Sequence, residues 1–222
     1  MRVTIATSDT KIDSAIDSMR LGTLNYQSAW DLQKSIHTDV ANSFRKNSLL
    51  LLEHPPVYTA GRRTLLEERP TDGSEVIDVD RGGKITFHGP GQLVGYPIVR
   101  LRESENVVGF VREIEKSLIE VCEEFGIPGE RYCERSGVWI RDRAGDRKIA
   151  AIGIRVAKGV TMHGFAININ PDLSFYDRIV PCGIKDASVT SMAKELNRQI
   201  SVAEVIDVVE SKILTALERI SI

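Results

Sequence analysis

The segment KIAAIGIRVAKGVTMHGFAIN, residues 148–168, decides the fold. It holds two apolar, β-branched runs, 148–156 and 160–168, separated by Lys158-Gly159, a pair typical of a tight turn. A second turn, Ala144-Gly145-Asp146, joins the first run to an earlier one at 137–140. Runs joined by such turns pair antiparallel, so the segment predicts consecutive β-hairpins.

Working outward from this segment, further short apolar runs at 48–52, 84–87 and 93–98 predict more strands. Apolar residues at helical spacing predict helices over 25–46 and 107–125, the second stopped by Gly126. A last helix is predicted from Ser201, which forms a capping box with Glu204. We therefore expect an α+β fold, a mixed β-sheet flanked by helices, in a single domain spanning 1–222.

The composition is that of an ordinary soluble protein. The 222 residues are 42% hydrophobic and 27% charged, and the net charge of −2 does not favour nucleic-acid binding. The first residues lack the apolar region of a secretory signal, and no run is long enough to span a membrane. Three widely spaced cysteines do not form a disulfide framework. We expect a cytoplasmic protein with no metal site, since CxxC and HExxH are both absent.

The three cysteines differ in their surroundings. Cys122 lies on the apolar stripe of the predicted middle helix, where a thiol acts as a small hydrophobe. Cys133 precedes a strand without an obvious activating neighbour. Cys182 lies between Pro181 and Gly183, a setting that restricts the backbone and lets a ligand approach the sulfur. By itself this pattern fits a nucleophile and a structural loop cysteine equally well.

A nucleophilic cysteine needs an activating group, because a thiol of pKa about 8.5 is only ~3% ionised at pH 7. Lys148 is one candidate, since the small residues Ala150 and Ala151 leave room for a ligand beside its strand. A lysine that opens a strand is, however, more often simply solvated. His88 and His163, each followed by glycine, are alternative partners, and spacing alone does not decide among the three.

The glycine-rich segment RGGKITFHGPGQ, residues 81–92, suits either a ligand tunnel or a phosphate cradle. It lacks GxxxxGK[ST], and its glycines miss the GxGxxG spacing, so nucleotide binding is weakly supported.

Taken together, several blocks resemble the lipoate-protein octanoyltransferases, also called lipoyl(octanoyl) transferases, in family order. They are EHPPVYT (53–59), RGGKITFHGPGQ (81–92), KIAAIG (148–153), HGFAIN (163–168) and PCGI (181–184). The sequence departs from the family pattern at Val180, where asparagine is frequent, and at Phe87, where tyrosine is common. Neither departure removes a reacting group.

The resemblance implies the catalytic domain shared by biotin and lipoate ligases, and an acyltransferase that needs no cofactor. Such an enzyme moves octanoyl from octanoyl-acyl carrier protein to a lysine of lipoyl domains, on E2 subunits of 2-oxoacid dehydrogenases and the glycine-cleavage H protein. This is the first step of endogenous protein lipoylation. Cys182 would be the acyl-thioester nucleophile, and Lys148 would lower its pKa and shuttle protons. The implied substrate-binding residues are Arg81, Gly82, Gly83, Lys84, Ile85, Thr86, Phe87, His88, Ala150, Ala151, Ile152, His163, Gly164 and Phe165.

We further expect Phe87, Ala151, Ile152 and Phe165 to line the acyl pocket. Residues 135–160 carry a local charge of +5, which fits either a docking face for acidic partners or a solvated hairpin. Two alternative functions share these features: an ATP-dependent lipoate or biotin ligase on the same fold, and a Cys–His thioesterase.

Overall fold

A computed structural model describes residues 16–132, 135–179 and 188–222. The strands in these ranges are β1 (Ile16–Thr23), β2 (Asn47–Glu53), β3 (Val57–Ala60), β4 (Val76–Asp78), β5 (Thr86–His88), β6 (Gln92–Ile98), β7 (Glu130–Tyr132), β8 (Arg135–Asp142), β9 (Gly145–Ala157), β10 (Val160–Asn168) and β11 (Ser188–Val189). The helices are α1 (Tyr26–Ala41), α2 (Val107–Glu124), α3 (Met192–Leu196) and α4 (Val202–Ile220), with 3-10 helices at Leu66–Glu68 and Leu173–Arg178.

The described strands form one large mixed sheet and one small sheet. The large sheet has the order β1-β2-β6-β10-β9-β8-β7, with β11 added beside β9. β1 runs parallel to β2 and β11 parallel to β9, whereas the other neighbours are antiparallel. The predicted hairpins β8–β9 and β9–β10 are present, so the α+β prediction is confirmed.

Helices cover both faces of the large sheet. On β6, Leu93 packs into the core formed with α2 and α4, whereas Val94 and Tyr96 pack into the core beneath α1. This is the alternation expected of a strand buried on both sides. The two faces are called the α1 face and the α2/α4 face below.

The small sheet has the order β4-β3-β5 and carries the glycine-rich segment. The loop before β5 reaches the large sheet, since the Gly82 backbone N–H donates to the Ile154 carbonyl at 3.0 Å. The space between this loop and the large sheet holds the candidate site.

Several elements differ from the sequence prediction, and β3, β4, β7, β11 and α3 are among those that were not predicted. The first helix ends at Ala41 instead of residue 46, because Ser43 adopts a left-handed conformation (φ 61°), and Phe44 is 83% exposed. Strand β1 was not predicted, since its polar sequence IDSMRLGT lacks a strong β pattern. Helix α2 and the capping box at the start of α4 are confirmed.

Candidate active site

A cavity of about 260 Å³ lies on the α1 face, between β9, β10 and the glycine-rich segment. It is lined by Lys148 together with ten of the residues implied as substrate-binding. These ten are Arg81, Gly83, Lys84, Thr86, His88, Ala151, Ile152, His163, Gly164 and Phe165. Residues as far apart in the chain as Arg81 and Phe165 thus converge on one cavity.

The four other residues implied as substrate-binding do not line this cavity. On β5, Thr86 and His88 face the cavity, so alternation turns Phe87 away, where its ring stacks on Phe175 at 4.5 Å. The expectation that Phe87 lines the acyl pocket is therefore not met. Ile85 belongs to the same apolar cluster as Phe87, Ala150 packs on the α2/α4 face, and Gly82 anchors the loop to β9.

Lys148 reaches the cavity because β9 has an irregularity beside it. Val138 pairs with Ala150 and Trp139 with Lys148, so β9 has one residue more than β8 at this point. Consequently Ile149 and Ala150 both pack on the α2/α4 face, and Lys148 is turned to the cavity side. Its ammonium lies 4.6 Å from the centre of the Trp139 ring, and the residue is 8% exposed. This β-bulge aims the side chain, as bulges beside active sites commonly do.

The strand opposite the bulge is held by a buried carboxylate. Glu115, on α2, is fully buried and accepts the Gly137 backbone N–H at 2.9 Å. The guanidinium groups of Arg112 and Arg131 lie 2.6 and 3.5 Å from the Glu115 carboxylate and compensate its charge. Gly137 has φ 117°, and a Cβ there would overlap the Ala150 carbonyl oxygen. Neither Glu115 nor Gly137 was singled out from the sequence, because nothing local marks a glycine that faces a bulge.

Arg81 is a structural clamp as well as a lining residue. Its guanidinium donates to the Thr59 carbonyl and hydroxyl at 2.8 and 2.9 Å, and to the Lys84 carbonyl at 2.8 Å. The side chain therefore ties β3 to the glycine-rich loop while placing a buried positive charge at the cavity wall.

One polar part of the cavity wall, around Tyr26 and Tyr96, is hydrogen-bonded within the protein. His54 Nδ1–H donates a hydrogen bond to the Leu24 carbonyl at 2.6 Å. His54 Nε2 therefore accepts one from the Tyr96 hydroxyl at 2.8 Å. The Tyr96 hydroxyl is also hydrogen-bonded to that of Tyr26. Burial raises the pKa of Tyr26 to about 12, so the phenol stays neutral. Sequence reasoning missed Tyr26, which is far from the motif blocks.

His88 is also neutral and fully engaged. Its Nδ1 donates to Gln92 Oε1 at 2.7 Å, and its Nε2 lies 3.3 Å from the Thr59 hydroxyl. Burial lowers the pKa of His88 to about 3. The ring therefore packs against the cavity as an uncharged group.

His163 lies at the opposite end of the cavity from Lys148. Its partner on β9 is Ile154, six residues beyond Lys148, or about 20 Å along a strand. Its Nε2 bonds Asp80 at 2.7 Å, and burial lowers the pKa of the ring despite that carboxylate. Its φ of 58° breaks the strand alternation, so the ring lies 6.1 Å from Trp30 of α1. The register therefore separates the backbones of Lys148 and His163, although both residues line the same cavity.

The buried histidines predict a loss of stability in weak acid. Unfolded histidine has a pKa of about 6.5, and the folded pKa of His88 is about 3, so only the unfolded chain gains this proton between those values. Its contribution is complete above pH 6.5 and falls by up to about 1.4 kcal/mol per pH unit below it. Denaturant titrations at pH 7, 6 and 5 should show this slope, and His88→Asn should flatten it. An equal slope in the variant would contradict the assignment.

Of the three cysteines, only Cys122 lies in the described residues. It is fully buried, in agreement with its predicted place in the core, and burial raises the pKa of its thiol to about 12. Cys133 and Cys182 fall outside the described residues. Ser188 and Val189, the first described residues after Cys182 in the chain, pair with Arg147 and Lys148.

The charge of the basic segment 135–160 is partly compensated by carboxylates. Three of its arginines form ion pairs: Arg147 with Asp142 and Glu195 at 2.9 and 3.0 Å, Arg141 with Asp146 at 3.2 Å, and Arg155 with Asp80. The local charge of +5 is therefore not displayed as one continuous basic face.

Within 16–132, 135–179 and 188–222, no three His, Cys, Asp or Glu side chains are grouped as a metal site would require. Over the same ranges, no helix combines the length and the apolar character that a membrane span needs.

Known proteins resemble this chain in both sequence and fold. The model of the lipoyl protein ligase A/B catalytic domain matches residues 25–214. An octanoyltransferase of Salinispora tropica is 57% identical over 202 residues, which cover 90% of this chain and 95% of that protein. An octanoyltransferase of Mycolicibacterium gilvum is 60% identical over 201 residues, covering 89% and 84%, respectively. An octanoyltransferase of Mycobacterium tuberculosis is 53% identical over 205 residues, which cover 92% of this chain and 88% of that protein.

Solved structures agree at the level of the fold. A bipartite lipoate protein ligase from Thermoplasma acidophilum gives a TM-score of 0.69 at 17% identity, covering 91% of this chain and 83% of that one. Biotin protein ligase from Aquifex aeolicus gives a TM-score of 0.54 at 16% identity, covering 91% of this chain and 71% of that one. The fold predicted from the ordered motifs is confirmed, and so is the family: the chain belongs to the octanoyltransferases, within the lipoyl protein ligase A/B catalytic domain family.

Proposed function

We propose that this protein transfers an octanoyl group from octanoyl-acyl carrier protein to a lysine of lipoyl domains, through an acyl thioester on Cys182. The acceptors are lipoyl domains of 2-oxoacid dehydrogenase E2 subunits and the glycine-cleavage H protein. We further propose that residues 1–222 form one catalytic domain and that it works in the cytoplasm. The observation that carries the proposal is the turning of Lys148, by a bulge, into a cavity formed by the family's motif blocks.

The reaction has two halves. The Cys182 thiolate attacks the thioester carbonyl of the donor, and the carrier thiol leaves with a proton from Lys148. The acceptor amine then attacks the acyl-Cys182 carbonyl, the thiolate leaves, and Lys148 takes the amine proton. One thioester replaces another in the first half and an amide replaces a thioester in the second, so ATP is not required.

The charges around the cavity support a thiolate mechanism. Five described lining residues are cationic, and none of the described lining residues is a carboxylate. The cations are Arg63, Arg81, Lys84, Arg135 and Lys148. Such a field favours the thiolate over the thiol and stabilises the oxyanion that forms during acyl transfer. A fall of two units in the thiol pKa would raise the thiolate fraction at pH 7 from ~3% to roughly 75%.

The cavity also suits a slender aliphatic chain. Its volume of about 260 Å³ lies just below the range of roughly 300–1,000 Å³ that is usual for pockets holding larger ligands. Gly83, Gly153 and Gly164 leave space along it, and the phenols of Tyr26 and Tyr96 are hydrogen-bonded to each other, with Tyr96 also bonded to His54. Each buried methylene of the chain contributes about 0.8 kcal/mol.

The two alternative functions make different predictions. A ligase would adenylate a free acid, so ATP–pyrophosphate exchange would reveal it. A Cys–His thioesterase would release free octanoate without modifying a lipoyl domain. His88 does not favour the role of general base, because both of its ring nitrogens are engaged. His163 is bonded to Asp80 through Nε2, so product analysis decides between the transferase and the thioesterase.

The nucleophile is tested by trapping the intermediate. Incubating the enzyme with octanoyl-carrier protein should add one octanoyl mass that hydroxylamine releases, because a thioester is cleaved by that reagent. Cys182→Ser should form no such adduct. Cys122→Ala is the matched control and should acylate normally, since its thiol is buried in the core with a raised pKa. A hydroxylamine-labile adduct on Cys182→Ser would disprove the assignment.

A further inference from the structure

The loop between β3 and the first 3-10 helix displays an unusual surface. Leu66 is 84% exposed and Leu65 50% exposed, next to the exposed residues Arg62 and Arg63. Neither arginine forms an ion pair with a residue in the described ranges. Residues 62, 63, 65 and 66, called the Arg-Leu surface below, thus combine uncompensated positive charge with exposed aliphatic side chains. Large exposed apolar groups beside unpaired charge are typical of interaction sites.

Hydrogen bonds hold the Arg-Leu surface in a fixed conformation. The backbone N–H groups of Arg62 and Arg63 donate to the carbonyls of Arg81 and Gly83, each at 3.1 Å. The buried Glu68 carboxylate accepts the Leu65 N–H at 2.9 Å and pairs with Lys84.

Gly61 permits this close fit, since a Cβ there would lie 2.5 Å from the Gly83 carbonyl oxygen. The loop is therefore preorganised, and a partner that binds it loses little conformational entropy in ordering it.

The Arg-Leu surface lies at an opening of the cavity, because Arg63 is exposed and also lines the cavity. The described lining is cationic without a carboxylate, so its charge favours the approach of anionic groups. An anionic partner would be attracted, and the opening would lead its acyl group into the cavity. Of the two proteins in the proposed reaction, the acyl donor is the one whose aliphatic chain must enter the cavity through this opening.

We propose that the Arg-Leu surface docks the carrier protein of the acyl donor, through a segment that combines carboxylates with an apolar face, such as one side of an acidic amphipathic helix. The arginines meet the carboxylates while Leu65 and Leu66 meet the apolar side chains. This assignment rests on the proposed function, since it presumes a protein-borne acyl donor.

The test separates protein docking from chemistry by changing the donor. The double variant Arg62→Glu/Leu66→Ser alters two residues that do not line the cavity. With octanoyl-carrier protein, its kcat/KM should fall about tenfold or more and depend less on salt than that of the wild type. With octanoyl-pantetheine, which has no protein part, the acylation rate should stay within about twofold of the wild type. Transfer from preformed octanoyl-enzyme to a lipoyl domain should also change by less than about twofold.

Control variants lie across the sheet on α2. Val108→Ser removes an exposed apolar group, and Lys116→Glu reverses an exposed charge, so both should behave as the wild type with either donor. An equal kcat/KM with carrier protein, or a loss confined to the lipoyl-domain half-reaction, would overturn the docking assignment. Failure of the proposed function looks different, because the wild-type enzyme would then form no octanoyl adduct with either donor.

Discussion

Lys148→Ala is expected to lower the rate of octanoyl transfer by about 10²–10⁴-fold, the range typical of losing a general acid–base group. The variant should also raise the pKa of the reactive thiol, because the ammonium that favours the thiolate is gone. The physical basis is the position of Lys148, which is buried against Trp139 at a cationic cavity wall. Acylation and aminolysis should both slow, since Lys148 transfers a proton in each half.

Two measurements check this expectation. Single-turnover acylation gives the rate, and alkylation of the enzyme with iodoacetamide as a function of pH gives the thiol pKa. Lys116→Ala is the matched control, an exposed lysine on α2 across the sheet, and should match the wild type in both. An alkylation profile in Lys148→Ala identical to that of the wild type would remove Lys148 from the role of activating group.

Gly137→Ala is expected to produce the second large effect, on both stability and activity. A Cβ at this position would overlap the Ala150 carbonyl oxygen and lie 3.5 Å from Lys148 Cε, and its φ of 117° is unfavourable for alanine. The backbone strain alone costs about 1–3 kcal/mol, and relief of the overlap must displace the bulge. We expect a total loss of roughly 3 kcal/mol or more, and acylation slowed at least about tenfold as Lys148 moves.

The β8–β9 hairpin offers a control for the conformational strain alone. Gly145 has φ 103°, and a Cβ there would meet no atom within 4 Å. Gly145→Ala should therefore lower stability by only the backbone term and leave the acylation rate near that of the wild type. Equilibrium unfolding and single-turnover acylation of both variants measure the difference. If the two variants lost stability and activity equally, the bulge would not be what positions Lys148.

Sequence patterns predicted the elements that local chemistry determines. Helix α2 is amphipathic and Gly126 follows it, so its bounds were predicted within a residue, and the capping box of Ser201 and Glu204 marked the start of α4. The apolar stripe correctly placed Cys122 in the core. Strand β1 was missed because its stability comes from pairing with β2 and from the contacts of β1 with α4, not from its own composition.

By itself, the sequence determined the family, the sheet of hairpins, and the list of groups from which a site could be built, because motifs and turns are encoded within a few neighbouring residues. Only the tertiary structure decided which faces those groups occupy. Simple alternation would place Lys148 on the same side as Ala150, and His163 on the same side as Ile167. The bulge at Ile149 and the left-handed backbone at His163 turn both side chains to the cavity. Such irregularities are stabilised by contacts between residues distant in sequence, here Glu115 with Gly137 and Gln33 with the His163 backbone. A local sequence pattern therefore does not predict them.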